Sequence, residues 1–201
     1  CSFDGSLNLL PEGCSELIGE GVAATQINGT WYGSANTLNP GKGYWVKCEN
    51  DVDFSWDCLE PEETLAKNNL SPYKANIAQS TQQAFYFIKD IEGISYGDLI
   101  EAYYNETLVG ARKWYGEYTD IPIMGFDGND EYTSKYPKAG STITFKAVSA
   151  EEEFKLEGEF PQYSPNEIFI IDSNVSTAEL LPTTFSLTQA YPNPFNPSTT
   201  I

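Results

Sequence analysis

The chain has 201 residues, enough for one large domain or two small ones and for burial of roughly 70% of the surface an unfolded chain exposes. Its 29 acidic side chains outweigh 11 basic ones for a net charge of −18, which sets aside phosphate backbones and anionic lipid as partners. It contains no His, which removes Ser-His and Cys-His nucleophiles and His-ligated metals, and no apolar run approaches the roughly 18 residues of a membrane span.

Four cysteines, Cys1, Cys14, Cys48 and Cys58, fall in the first third of the chain without a CxxC motif. That spacing makes a poor zinc site and reads as two disulfides in an oxidising compartment. Three pairings exist; the simplest joins neighbours, Cys1–Cys14 and Cys48–Cys58. A Cys at position 1 also suggests a lipid-modified N-terminus, but Cys14 offers it a disulfide partner. The start carries neither Met nor a signal segment, as expected of a mature or partial product.

Residues 1–58 are expected to form a small disulfide-stapled β subdomain. Asn28-Gly29 between Ile27 and Thr30 is a strong hairpin signal. Gly41-Lys42-Gly43 fits a turn, not a phosphate cradle, before a strand at 44–48, and the alternation over 51–56 predicts another strand. On the same grounds Trp45 and Trp56 are expected in the core. Residues 59–80 are acidic and polar, as in a linker with one short helix.

The expected larger domain, 81–172, opens with the buried-strand candidate 84–88. Strands at 98–104 and 107–112 flank the tight turn Asn105-Glu106, and 121–124, 142–146, 153–156 and 168–171 continue the series. Short strands split by Gly, Pro and Asp, with no sustained helical period, predict an all-β, antiparallel, sandwich-like fold.

Three groups in this chain invite chemistry. Trp114, Tyr115 and Tyr118 lie between glycines and charges, where a loop would offer rings to a sugar face; Trp31, Tyr44 and Trp45 are further candidates, with core packing the competing role. Asp127, Asn129 and Glu131 place oxygens at alternate positions, like half a calcium loop, but Lys138 stands where an EF-hand needs its bidentate Glu. An Asp-Gly turn accounts for the same residues. Carboxylate pairs for glycoside hydrolysis are expected by chance among 29 acids, and Glu151-Glu152-Glu153 fits a solvated run at a turn. Asn28, Asn105 and Asn174 each begin an Asn-x-Ser/Thr triplet.

Residues 173–184 look like a second linker. Residues 185–201 hold three prolines within six residues, which forbids a helix and favours extended backbone. Leu187, Gln189, Tyr191-Pro192-Asn193-Pro194-Phe195-Asn196-Pro197, Thr199 and Ile201 resemble the opening of the C-terminal sorting domain of type IX (Por) secretion substrates; Ala190 replaces the usual Asn. The likeness covers 17 residues and stops after what would be that domain's first strand, as in a fragment or processed product. It implies export to the cell surface or medium by the secretion machinery. Gly19–Ala24, Trp31–Ser34, Gly41–Val46, Ser80–Phe87, Gly97–Ile100, Val109–Trp114 and Asp120–Gly125 resemble, more loosely, a module found before such domains in large secreted bacterial proteins.

Together these features predict a non-catalytic extracellular module acting in adhesion, carbohydrate contact or spacing, with surface glycans or further copies of itself as partners. A self-assembling filament subunit is the alternative, and a carboxylate-only glycosidase the opposing class.

Overall fold

The computed structural model describes residues 10–36, 41–53, 77–128, 130–149 and 152–179. The chain is nearly all β and sandwich-like, and its described strands stack in three layers. β1 (Cys14–Gly19), β2 (Val22–Ile27), β3 (Thr30–Gly33) and β4 (Trp45–Cys48) form a first sheet in the order β3-β2-β1-β4. The expected Asn28-Gly29 hairpin joins β2 to β3. Both residues take positive φ (51° and 81°), as a two-residue turn needs to match strand twist.

β5 (Gln83–Ile88), β6 (Ile91–Glu92), β7 (Leu99–Tyr104), β8 (Thr107–Lys113), β9 (Thr119–Met124), β10 (Thr144–Ser149), β11 (Glu152–Glu157), β12 (Ile168–Ile171) and β13 (Val175–Glu179) complete the fold. β12-β5-β9 make the second sheet, and β6-β13-β11-β10-β7-β8 the third. Most pairs are antiparallel, but β12 runs parallel to β5 and β13 parallel to β6. β13 lies inside the expected 173–184 linker, and β1 and β6 carried no strong local signal. Residues 51–53 are not strand, while 54–76, with Trp56 and most of the expected 59–80 linker, lie outside the described residues.

The middle sheet explains why β5 is apolar throughout: every one of its residues is buried. Alternate side chains of a strand point to opposite faces. Phe85 and Phe87 pack with Ile18 of β1, Ala23 of β2 and Tyr118. Ala84, Tyr86 and Ile88 turn the other way and join Ile100, Val109, Ile121, Phe145, Leu156 and Val175 in the main core. The N-terminal sheet therefore shares a hydrophobic cluster with the second sheet. Gly110 of β8 runs against β9 so closely that a Cβ there would enter the Pro122 carbonyl. Pro122 itself is tolerated because β9 is an edge strand, where a missing N–H can face away from the ladder.

The outer face of the first sheet carries Leu17, Ala24 and Ala35, with Cys14 bonded to Cys48 across β1 and β4. This corrects the neighbour pairing expected from sequence: Cys14 is joined to Cys48, not to Cys1, because antiparallel β1–β4 register places the two opposite each other. Cys1 and Cys58 lie outside the described residues.

Candidate functional site

The loop joining β8 to β9 places all three of its candidate aromatics inward. Trp114 enters the main core at 6% exposure, and Tyr118 enters the cluster between the first and second sheets at 5%. Tyr118 meets Tyr32 edge to face at 4.7 Å, and its hydroxyl donates to Asp172 at 2.7 Å, which with burial holds the phenol's pKa up to about 12. Tyr115 is half-buried, and its hydroxyl donates to Asp120. The expectation of a sugar platform at Trp114 and Tyr118 is corrected: the loop links two stacked sheets, so its large rings fill the seams on either side. Trp31 is half-buried against the outer cluster of the first sheet.

Tyr115 belongs to a polar clamp that ties all three layers together. Asp120 of β9 is fully buried, and its carboxylate accepts from Arg112 of β8 at 2.9 Å, from Ser34 after β3 at 2.7 Å and from Tyr115. Arg112 also donates to the Asp120 carbonyl at 2.9 Å and to the Gly21 carbonyl of the β1–β2 turn at 2.8 Å. Beside it, Gln83 donates to the Gly19 carbonyl at 2.7 Å and accepts from the Gly21 N–H at 3.0 Å. Burial first, and the neighbouring Asp120 charge second, push the Tyr115 phenol well above its ordinary pKa. No buried side-chain polar atom among the described residues lacks a partner. A carboxylate enclosed by three donors is held as a structural counter-ion.

Of the calcium candidates, Asp127 uses Oδ2 to accept from the Thr81 hydroxyl at 2.8 Å and the Thr81 N–H at 3.3 Å. Glu131 is exposed at the start of a 3₁₀ turn (Glu131–Thr133), and Asn129 lies outside the described residues. Among the described residues no three His, Cys, Asp or Glu side chains gather to hold a metal. Glu152 and Glu153 are exposed at the start of β11, and Glu153 pairs with Lys146 at 3.2 Å.

Of the sequence's ring candidates Trp45 is the exposed one, its competing core role having failed, and it is joined by two rings the sequence did not single out. Trp45, expected in the core, is 74% exposed, and Tyr96 and Tyr132 are 81% and 83% exposed. Trp45 sits opposite Ile18, on the face that looks toward the second sheet, but β4 is the edge strand and leaves the ring uncovered. Ile170, 43% exposed, lies in the same way beside buried Phe87 on edge strand β12. An alternating pattern gives the face of a strand; whether a sheet edge overhangs its neighbour has no local signal.

An open groove of about 680 Å³ runs between the β7–β8 turn and the segment after the 3₁₀ turn. Tyr104, Asn105 and Glu106 form one wall, and Lys135, Tyr136 and Lys138 the other. No helix among the described residues is long and apolar enough to cross a membrane. No protein family, curated protein or solved structure matches this chain.

Proposed function

We propose that this chain is a non-catalytic module of a secreted or surface-attached protein, and that it works by contact: adhesion, carbohydrate binding or spacing. The observation that carries the reading is the display of Trp45, Tyr96 and Tyr132 at 74–83% exposure, while Tyr86, Trp114, Tyr136, Phe145 and Tyr163 are committed to the main core. A bare ring face is an apolar surface on which a pyranose can stack, and large aromatics dominate contact energetics. The Cys14–Cys48 bridge supports an oxidising compartment, since such bonds persist there and are reduced in the cytosol. The resemblance of residues 185–201 to the opening of a type IX sorting domain supports export by that machinery.

A glycan array probed with the intact chain tests this reading. Retention of one glycan class, lost in a Trp45→Ala, Tyr96→Ala, Tyr132→Ala variant, is the expected result. A blank array removes the carbohydrate reading, and turnover of a polysaccharide abolished by a single carboxylate substitution overturns the non-catalytic one.

The edges of β4 and β12 favour a second reading, a self-assembling subunit, because an edge with no further strand partner among the described residues, beside exposed Trp45 or Ile170, can accept a strand from another copy. Polymers seen by electron microscopy and lost on removal of residues 185–201 would support it; polymers unaffected by that truncation would discard strand donation by this segment.

A further inference from the structure

Resting on the contact reading above, we infer that the groove between the β7–β8 turn and residues 134–138 is a binding site for an acidic saccharide, a short sugar chain carrying carboxylates. On a chain of net charge −18, most of the surface repels an anion. This groove inverts the local sign, with Lys135 and Lys138 on one wall and Glu106 as the lining acid opposite. Neither lysine forms an ion pair among the described residues, as is also true of Lys89, Lys113 and Lys155, so both are open to an anionic ligand and, unlike those three, they line this one groove. Lys138 is placed by its ammonium lying 4.3 Å from the Phe126 ring centroid.

The lysine-bearing wall is rigid before any ligand arrives. Asp130 caps the 3₁₀ turn by accepting from the Tyr132 N–H at 2.9 Å, and buried Thr133 donates to the Asp130 carbonyl and accepts from the Asp127 N–H. Phe126 N–H reaches the Pro137 carbonyl at 2.8 Å, and Lys138 N–H reaches the Ser141 hydroxyl at 3.1 Å. The Tyr136 ring is sunk in the core, with its hydroxyl accepting from the Ala78 N–H. Across the groove, Asn105 holds a positive φ of 54° at the tip of the β7–β8 hairpin. A preformed wall loses little ordering entropy on binding.

The polar groups on offer select the ligand class. Asn105 and Glu106 make no side-chain hydrogen bond to any described residue, so an amide and a carboxylate stand ready for hydroxyl groups. Two ammonium groups suit one or two carboxylates. A dense polyanion fits worse, because Glu106 and the chain's overall charge repel it, and a neutral sugar leaves both lysines unused.

Isothermal calorimetry of the full chain with a galacturonic acid trisaccharide tests the site, with maltotriose and sulfated dextran as comparators. Binding of the uronide in preference to both is expected. It should weaken roughly tenfold or more in Lys135→Ala/Lys138→Ala, through loss of charge-assisted bonds, and persist in Lys138→Arg. Both lysines are exposed, so the melting temperature should not move, and NMR shifts should concentrate at 104–107 and 134–138. Uronide binding that is unchanged in the double variant, or weaker than salt-sensitive binding of sulfated dextran, overturns this site while the contact reading stands. Failure of every glycan, here and on the array, overturns this site together with the carbohydrate part of the contact reading and leaves adhesion and spacing.

Discussion

The two faces of the middle sheet are held by different physics. Toward the third sheet the seam is apolar: Tyr86 lies 5.4 Å from Phe145 and 4.7 Å from Phe169, amid aliphatic side chains from both sheets. Toward the first sheet a smaller cluster around Phe85 and Phe87 is joined by the Asp120–Arg112–Ser34–Tyr115 clamp and by Gln83. Apolar burial is strong and indifferent to direction, so it brings layers together without fixing how they sit. Hydrogen bonds to the Gly19 and Gly21 backbone are directional, and they fix which turn of the first sheet meets which end of β5 and β9.

The largest effects should come from the ring on each side of β5. Tyr86→Ala and Phe85→Ala should each cost about 3–5 kcal/mol in chemical denaturation, since both side chains are fully buried. A small loss for Phe85→Ala alone would mean that the first sheet is only loosely applied. Arg112→Ala should cost about 3–5 kcal/mol because it strands a buried carboxylate, whereas the pair Arg112→Met with Asp120→Leu should recover most of that loss. If the apolar pair is as unstable as the single variant, the clamp contributes more than mutual neutralisation. Cys14→Ser with Cys48→Ser should cost roughly 2–4 kcal/mol by freeing a 34-residue separation in the unfolded chain.

Alkaline titration compares the same seams. Tyr115 and Tyr118 on one side, and Tyr86 and Tyr163 on the other, all have phenol pKa values raised above the ordinary 10.0. A raised value in the folded state means that the folded protein keeps protons the unfolded chain releases. Their contribution is therefore whole below pH 10 and is lost as pH climbs from there through the folded values, the loss from Tyr118 being complete first, near 12. The melting temperature should fall above about pH 10, and Tyr118→Phe should flatten the first part of that fall. Smallest of all, Trp45→Ala should change stability by no more than about 0.5 kcal/mol, because the ring is exposed; a larger loss would mean that it packs against something.

Much of the β pattern was legible in the sequence because its causes are local. Asn28-Gly29 and Asn105 mark tight turns through residues that accept positive φ, and the apolar run at 84–88 is strand β5. β1, β6 and β13 were not legible, since pairing with distant strands stabilises them more than their own composition. The aromatic candidates misled for a related reason. Trp114 and Tyr118 sit among glycines and charges, a loop-like context, yet that loop crosses between layers, and Trp45 alternates like a core residue on a strand that is the sheet edge among the described residues. The groove joins residues some thirty positions apart in sequence, and no short motif links them.

By itself the sequence determined the β class, the acidic surface, the principal hairpins and a disulfide-forming chemistry. Each of these depends on side-chain type, short-range periodicity or turn preference within a few residues. The tertiary structure decided that Cys14 meets Cys48, that β5 is buried on both faces and that Arg112 bridges three sheets. Those outcomes follow from long-range register and layer stacking, where a residue's partner is chosen by the geometry of strands far away in the chain.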